Sequence, residues 1–309
     1  MMETIRVMLA CNEAYAMPMT VAAHSALSHV DPDRLIEIHI IEDGIQPETR
    51  ARAERCLQSA HPRASVIWRK ADLADMSGVN YRHYSAASLV RILMPRIFDK
   101  TVQKVLYIDC DVVVTGNIAA LFDMDLSGNA IWAVQDGADE EFENRIGKKF
   151  PWMDAPADAR YFNSGVLLVN LAEWRQSAIT ERVLAFLDEH DEELSFPDQD
   201  ALNAIALGEW GRLPPHWNLQ PLLLNRKNSW KLNEPGIIHY TCCKPWDSDY
   251  TWSGRLKYHK AYIASGWDSG AVARLKASRL FARQAFLQCK RKAIRVLRSF
   301  FGLNPSAPI

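Results

Sequence analysis

The stretch KVLYIDCDVVV, residues 104–114, places two carboxylates inside a largely apolar run. Its β-branched and aromatic residues favour an extended chain. Alternate side chains of a strand point to the same side, so Asp109 and Asp111 are predicted to converge while Cys110 points the other way. Two carboxylates held that close repel each other, and burying them unpaired is costly. A bound cation would relieve both costs, so the stretch predicts a metal site.

The segments around this stretch alternate between strand and helix patterns. Strand-like runs occur at 4–10, 35–43, 65–71, 130–136 and 164–170, and helical patterns at 18–30, 47–60, 85–98 and 196–205. Within the third helical pattern, Pro95 is expected to end or kink the helix. This alternation of strand and helix patterns predicts an α/β fold, with a central sheet and helices on its faces.

Composition and charge narrow the functional class. The 309 residues are 48% hydrophobic and 24% charged, as in an ordinary globular protein with room for one large domain and an extension. The formal net charge of −1 is uneven, because residues 272–309 contain nine Lys and Arg and no acid, which leaves −10 on residues 1–271. An acidic body with a basic tail indicates a surface-binding tail, and no nucleic-acid partner is expected.

The amino-terminal segment and the cysteines bear on location. The first apolar run is short, is interrupted by Arg6 and lacks a small-residue cleavage site, so it is interpreted as a strand and not a signal peptide. No apolar segment approaches the ~20 residues needed to span a bilayer. Six cysteines at irregular spacing form neither a disulfide framework nor a zinc pattern. We expect a reducing, cytoplasmic location.

Polar residues collect at the predicted carboxyl ends of strands, where α/β sheets bind ligands. Such ends carry ACNEAY (10–15), DCD (109–111) and VQDGADEEFENR (134–145). The long polar segment 137–160 is interpreted either as a lid or acceptor loop or as irregular surface structure.

Three later motifs add candidate polar groups. YFNSGVLLVN (161–170) places Asn163 and Ser164 before a buried-type strand. FPDQDALNAI (196–205) begins a helix with two carboxylates and Gln199 in its first turn, and at least one of these carboxylates is expected to act as a helix cap. IIHYTCCKPW (237–246) supplies His239 and Lys244. Taken alone, a histidine after a strand can have a structural role, which is the alternative interpretation of His239.

Together these segments resemble glycosyltransferase family 8, the group that contains glycogenin and the bacterial lipopolysaccharide α-galactosyltransferases and α-glucosyltransferases. The similarity extends in order from about residue 5 to residue 246 and includes the D-x-D motif LYIDCDVVV, YFNSGVLLVNLAEWR and PDQDALN. In HYTCCKPW, the family's H-x-x-G-x-x-K-P-W signature is one residue shorter, and Cys242 and Cys243 replace its glycine-containing link. The resemblance implies a single nucleotide-sugar-binding, Rossmann-like GT-A domain over residues 1–246, with a mixed central sheet and a helical extension over 247–309.

The resemblance also implies a reaction and a set of site residues. The reaction is retaining transfer of glucose or galactose from a UDP-sugar to an oligosaccharide or lipid-linked glycan acceptor, such as lipopolysaccharide. Carboxylates and an imidazole suit Mn²⁺, with Mg²⁺ as the alternative. The expected metal ligands are Asp109, Asp111 and His239. The expected donor-binding residues are Asn12, Glu13, Tyr15, Arg91, Asp109, Asn163 and Lys244, and the expected catalytic residues are Asp136, Asp198 and Gln199.

Two other functions fit parts of the sequence. A haloacid dehalogenase-type phosphatase also carries a D-x-D motif after an apolar strand and binds Mg²⁺, but on its first strand and with a later acidic pair. A sugar-nucleotide-binding protein without activity is the second alternative, although the carboxylates, the histidine and the lysine are all present.

The carboxyl-terminal tail has the pattern of an amphipathic helix. Leu280, Leu287, Ile294 and Phe301 recur every seven residues, and basic residues cover much of the remainder. Such a stripe flanked by cations is typical of a helix on an anionic membrane surface. The alternative is that its first half packs on the body. The expected location is therefore the inner face of the cytoplasmic membrane, with peripheral attachment.

Overall fold

In the described part of this chain, seen in a computed structural model, nine strands form two sheets. The structure describes residues 3–70, 89–126, 128–137, 146, 150, 152–156, 158–221, 224, 229–247, 254–276, 278–279, 282 and 286. The strands are β1 Ile5–Asn12, β2 Ile36–Asp43, β3 Ala64–Lys70, β4 Lys104–Ile108, β5 Val112–Val114, β6 Ile131–Gln135, β7 Phe162–Asn170, β8 Gly211–Arg212 and β9 Ile237–His239.

The central sheet has seven strands in the order β3-β2-β1-β4-β7-β6-β8. Strands β1 to β4 run parallel, β7 is antiparallel to both β4 and β6, and β8 is parallel to β6. The remaining two strands, β5 and β9, form a separate antiparallel pair. The predicted mixed α/β sheet is confirmed.

Helices cover both faces of the sheet. They are α1 Ala16–Leu27, α2 Pro47–Gln58, α3 Met94–Ile97, α4 Ala119–Phe122, α5 Leu171–Gln176, α6 Ile179–His190, α7 Pro197–Ala206 and α8 Arg255–Ser265. Alternation along β1 separates two cores: Val7 and Leu9 join the cluster with α1, whereas Met8 and Ala10 join the one with α6 and α7. The sheet therefore fixes the edge at which the polar strand ends meet.

The stretch 104–114 is not one strand, contrary to the prediction. Strand β4 ends at Ile108, and β5 begins at Val112 in the other sheet, so Asp109 and Asp111 lie in the turn between two sheets. They still converge, and the Cys110 thiol points away and donates to the Ala10 carbonyl at 3.1 Å. The physical reason is that β5 pairs with β9, far along the chain, and so turns away from the central sheet.

The predicted helix at 85–98 is also divided. A 3₁₀ turn spans Val90–Leu93, and α3 follows with Pro95 in its first turn, while residues 85–88 lie outside the described residues. Proline therefore begins the second segment, since the first helical turn does not require its N–H.

The carboxyl-terminal segment packs on the body at its start. Tyr258 and Tyr262 of α8, together with Ala273, are buried against Val21 of α1 and Val113 of β5. Residues 270–276, 278–279, 282 and 286 are helical, and Phe286 is exposed. The apolar stripe of the predicted tail helix, Leu280, Leu287, Ile294 and Phe301, lies outside the described residues, and both interpretations of that stripe stay predictions. Within the described part of the chain, no helix has the length and apolar character needed to cross a bilayer.

Candidate active site

Asp109, Asp111 and His239 meet beyond the carboxyl end of β4. The His239 Nε2 atom lies 3.6 Å from Asp109 Oδ2 and 3.3 Å from Asp111 Oδ1. One ligand atom from each of the three side chains lies within 4.8 Å of the others, which is the spacing of ligands around a single ion. The structure therefore brings together the three residues predicted to bind metal.

Each carboxylate is held by one of its oxygens. Asp109 Oδ1 accepts hydrogen bonds from Arg91 Nη2 at 2.9 Å and from the Tyr107 hydroxyl at 2.7 Å. Asp111 Oδ2 accepts from Lys244 Nζ. The second oxygen of each carboxylate faces His239, so the anchored oxygens orient the other two toward a common point.

The charges of these groups are fixed by their neighbours. Burial acts to raise the pKa of Asp111, but His239 and Lys244 outweigh it and hold that pKa well below its usual range. Burial acts to lower the pKa of Lys244, and Asp111 reverses this and raises it. Asp111 is therefore an anion at neutral pH and Lys244 a cation.

The donor set fits a divalent cation. Two carboxylate oxygens and one imidazole nitrogen point at one another, and the other ring nitrogen of His239 is engaged by Asn218 Oδ1 at 2.8 Å. Hard oxygen ligands with one imidazole suit Mn²⁺, and Mg²⁺ accepts such a site less readily because it prefers oxygen and water.

Arg91 links this site to the helix that carries the predicted catalytic residues. Its guanidinium contacts Asp198 Oδ2 at 3.1 Å as well as Asp109, and Nη1 donates to the Ser164 carbonyl at 2.8 Å. Burial raises the pKa of Asp198, although Arg91 opposes the shift. The buried cation thus aligns two carboxylates from distant parts of the chain.

Gln199, Asp136 and Asn163 also lie together. The Gln199 Nε2 atom is 3.5 Å from Asp136 Oδ2, and the Asn163 Nδ2 atom is 3.4 Å from Asp136 Oδ1. Gln199 Oε1 accepts the backbone N–H of Ser164 at 2.8 Å, which occupies this oxygen. Gln199 and Asp136, two of the predicted catalytic residues, and Asn163, a predicted donor-binding residue, therefore share one cluster beside the cation site.

Asp200 has the capping role expected for one of the first-turn carboxylates of α7. Its Oδ2 accepts the backbone N–H groups of Ser195 and Phe196, both at 2.9 Å, and its Oδ1 accepts the Tyr161 hydroxyl. Asp198 instead contacts Arg91, and Gln199 lies against Asp136, so both side chains face the site.

The predicted nucleotide-binding residues lie at the end of β1. Asn12 Oδ1 accepts the Tyr15 N–H at 3.2 Å and so caps the turn. The partly exposed Tyr15 ring lies edge-on to the Trp246 ring, with 6.0 Å between the ring centroids. Both oxygens of Glu13 contact the start of α2, at Gln46 N (2.9 Å) and at the Thr49 hydroxyl (2.7 Å). Glu13 thus holds a helix, while Tyr15 presents an aromatic surface.

Two site residues were not predicted from the sequence. Asn218 contacts His239, and Gln220 Nε2 donates to Asp136 Oδ1 at 3.0 Å. Both side chains come from the segment whose Leu219 bridges to Ile238 of β9. The spacing of Asn218 and Gln220 could have indicated them, because side chains two residues apart on an extended chain point to the same side.

The shortened signature forms a tight loop. Cys242 adopts a left-handed conformation with φ of 61°, at a place where the family pattern has glycine-containing sequence. Lys244 Nζ donates back to the Tyr240 carbonyl at 3.2 Å as well as to Asp111. The loop therefore keeps Lys244 at the cation site despite the missing residue.

Comparison with known proteins agrees with this geometry. The family model described as Glycosyl transferase family 8 matches residues 6–250. General stress protein A of Bacillus subtilis (strain 168) is 28% identical over 284 residues, which cover 86% of this chain and 96% of that protein. Lipopolysaccharide 1,2-glucosyltransferase of Escherichia coli (strain K12) is 30% identical over 188 residues, 57% of this chain and 54% of the other.

Solved structures share the fold. The galactosyltransferase LgtC, in complex with donor and acceptor sugar analogs, superimposes with a TM-score of 0.67 at 25% identity and covers 84% of this chain and 95% of its own. The position of the D-x-D motif differs from that in haloacid dehalogenase-type phosphatases, because it follows the fourth strand and not the first. The family model covers residues 6–250, most of the chain, and that range contains every motif of the candidate site, so the chain belongs to glycosyltransferase family 8.

Proposed function

We propose that this glycosyltransferase moves glucose or galactose from a UDP-sugar to a glycan acceptor, with retention of anomeric configuration and with Mn²⁺ as the cation. The observation that carries the proposal is the meeting of Asp109, Asp111 and His239 beside Lys244 at the carboxyl end of β4. Lipopolysaccharide or another surface glycan is the proposed acceptor, in keeping with the name of the Escherichia coli relative.

The proposed roles follow from charge and position. A divalent cation held by the two carboxylates and His239 supplies the positive charge that a departing diphosphate requires. Lys244 adds a second positive charge on the same side. Tyr15 offers its ring for stacking on the uracil, with Asn12 and Glu13 holding the turn that presents it.

The residues around the sugar favour one route to retention. Gln199 is the residue beside the reacting carbon in the proposed arrangement, and its amide oxygen already accepts the Ser164 N–H. An amide oxygen is a weak nucleophile, and this hydrogen bond weakens it further. We therefore propose displacement on the same face of the sugar, with Asp136 and Asn163 binding its hydroxyl groups.

The test is a panel of sugar nucleotides. UDP-glucose, UDP-galactose and UDP-N-acetylglucosamine are incubated with Mn²⁺ and without acceptor, and the release of UDP is measured. We expect slow hydrolysis of UDP-glucose or UDP-galactose that chelation abolishes, and NMR of the released sugar should show the α-anomer first. Release of phosphate from simple phosphomonoesters with no turnover of any UDP-sugar would instead support the phosphatase.

We also propose that two parts of the chain have different roles. Residues 1–246 form the transferase domain, and residues 247–309 form an extension whose basic helix binds anionic lipid on the inner face of the cytoplasmic membrane. The support is the concentration of nine Lys and Arg after residue 271 and the exposure of Leu275 and Phe286. A lipid-linked acceptor would be presented at the same surface.

A further inference from the structure

The usefulness of His239 as a metal ligand depends on which ring nitrogen carries the proton. A neutral imidazole coordinates through the nitrogen that lacks a proton, and its tautomer is set by the hydrogen bond at the other nitrogen. The partners around His239 allow the tautomer to be worked out, one donor at a time.

The backbone amide of Gly165 identifies the oxygen atom of the Asn163 side chain. The Gly165 N–H, which can only donate, points at Asn163 Oδ1 at 3.0 Å, so that end of the Asn163 amide is its oxygen. The Asn218 amide approaches the same oxygen at 2.9 Å and must present its NH₂ group there. The oxygen of Asn218 is therefore the atom at its other end.

That oxygen determines which nitrogen of the neutral ring is protonated. Asn218 Oδ1 lies 2.8 Å from His239 Nδ1, and a carbonyl oxygen accepts only, so Nδ1 carries the proton. When the ring is neutral, as metal coordination requires, the lone pair of Nε2 faces Asp109 and Asp111. We propose that Asn218 is a positioning residue that holds His239 in its Nδ1–H tautomer and so makes it a metal ligand; this rests on the cation role proposed above.

Burial makes this hydrogen bond hard to replace. Asn218 is 2% exposed and His239 3% exposed, so bulk water is excluded from their contact. The ring also lies against Gly165, where an added Cβ would come within 2.2 Å of His239 Cε1, so the ring has little room to turn. Without the amide oxygen, nothing in this contact would favour the proton on Nδ1, and a proton on Nε2 would block coordination.

The experiment compares Asn218→Leu with Asn218→Asp. Leucine keeps the volume and removes the acceptor, whereas aspartate keeps an acceptor for Nδ1–H. Free Mn²⁺ is titrated by EPR without sugar nucleotide, and the controls are Asp111→Asn and the exposed Asn233→Leu. Loss of a group that orients a ligand commonly weakens metal binding about 10–100-fold. We expect that loss for Asn218→Leu, a dissociation constant near that of the wild type for Asn218→Asp, and no change for Asn233→Leu.

A second readout reports the tautomer itself. In Mg²⁺-bound protein with ¹⁵N-labelled histidine, we expect a proton bonded to Nδ1 of His239 in the wild type and in Asn218→Asp, and its loss in Asn218→Leu. Equal Mn²⁺ affinity and an unchanged His239 spectrum in Asn218→Leu would overturn the inference. If Asn218→Leu does not fold, Asn218→Ala is held to the same criteria. If the wild type and Asp111→Asn bind Mn²⁺ equally, the proposed cation site is wrong, which is a separate failure.

Discussion

Each carboxylate of the D-x-D motif divides its oxygens between a cationic side chain and His239. Asp109 is held by Arg91 and Asp111 by Lys244. Asp109→Asn or Asp111→Asn removes an anionic ligand, so we expect transfer to fall below detection in each variant, even in excess Mn²⁺. Turnover of the UDP-sugar is the measurement, with the exposed Asp33→Asn as the control. Near-normal turnover in either variant would show that these carboxylates do not hold the cation.

Gly165 is required because two ligands pack against it. A Cβ there would lie 2.2 Å from His239 Cε1 and 2.7 Å from Asp109 Oδ2, so Gly165→Ala must displace both. We expect Mn²⁺ affinity to fall at least about 10-fold, by analogy with other changes that misorient a ligand. Gly270→Ala is the matched control, because its Cβ would meet its nearest neighbour at 3.7 Å. Equal Mn²⁺ affinities of the two variants would contradict this account.

The sequence predicted the ionic residues of the site but not the amides that orient them. Asp109 and Asp111 could be predicted because burying carboxylates in an apolar run is costly without a compensating charge, whereas His239 was expected as a ligand only from the resemblance to the family. Asn218 could not, because amides are common on surfaces and its hydrogen bond to His239 becomes visible only when β9 is placed beside it. The capping role of Glu13 was missed for the same reason, since its partners lie on α2.

At the scale of elements, the start of α7 combines a structural carboxylate with two functional residues. Asp200→Ala removes the acceptor that two backbone N–H groups before the helix and the buried Tyr161 hydroxyl share. Loss of the acceptor of a buried hydroxyl costs about 1–3 kcal/mol and loss of a helix cap about 1 kcal/mol, so we expect the free energy of unfolding to fall by about 3 kcal/mol. Urea unfolding measures this, and the exposed Glu192→Ala should unfold like the wild type. An unchanged midpoint for Asp200→Ala would remove its capping role.

Helix α8 supports the aromatic pair of Trp246 and Tyr15 and carries a buried histidine. The ring centroids of Tyr258 and Trp246 are 5.3 Å apart, and Trp246 in turn contacts Tyr15. Burial, assisted by Arg255, lowers the pKa of His259 to about 4. The pKa of histidine in the unfolded chain is about 6.5. At pH values between this pKa and that of folded His259, the unfolded chain binds a proton that the folded chain does not, so the free energy of unfolding falls as the pH falls.

This shift predicts an acid sensitivity that belongs to α8. Lowering the pH from 7 to 5 should cost the wild type about 2 kcal/mol through His259 alone. We expect His259→Gln to lose correspondingly less free energy of unfolding over the same pH range, measured by urea unfolding at each pH. Parallel losses in the two proteins would mean that His259 is already protonated in the fold.

Elements with strong local patterns were predicted, and those fixed by distant pairing were not. Strands β1, β2 and β3 and helices α1 and α2 follow their periodicity and proline signals. The division of residues 104–114 into β4 and β5 was missed because three residues of β5 pair with a strand more than a hundred residues later. Apolar periodicity carries no information about such a partner.

For the whole molecule, charge is separated between the body and the tail. Lys276 pairs with Asp268, which also pairs with Arg52 of α2, so the first residues of the tail are docked. Deletion of residues 277–309 spares this docking and removes seven Lys and Arg and no acid, which changes the formal charge from −1 to −8.

The deletion tests whether the tail binds membranes independently of catalysis. Each basic residue near an anionic surface contributes about 1 kcal/mol, reduced by salt. We expect the full chain to sediment with vesicles that contain phosphatidylglycerol, to dissociate as salt rises and to ignore neutral vesicles. The truncated chain should remain in the supernatant and still hydrolyse the UDP-sugar. Equal sedimentation of the two forms would refute a membrane role for the tail.

Crystals soaked with MnCl₂ and UDP test directly whether Asp109, Asp111 and His239 hold the cation that receives a UDP-sugar diphosphate. Anomalous diffraction at the manganese edge locates the ion without reference to any assumed site. We expect one strong peak at coordination distance from the two carboxylates and from Nε2 of His239, with the UDP diphosphate as a further ligand. UDP bound with no manganese peak among these three side chains, or a peak held by other residues, would contradict the account.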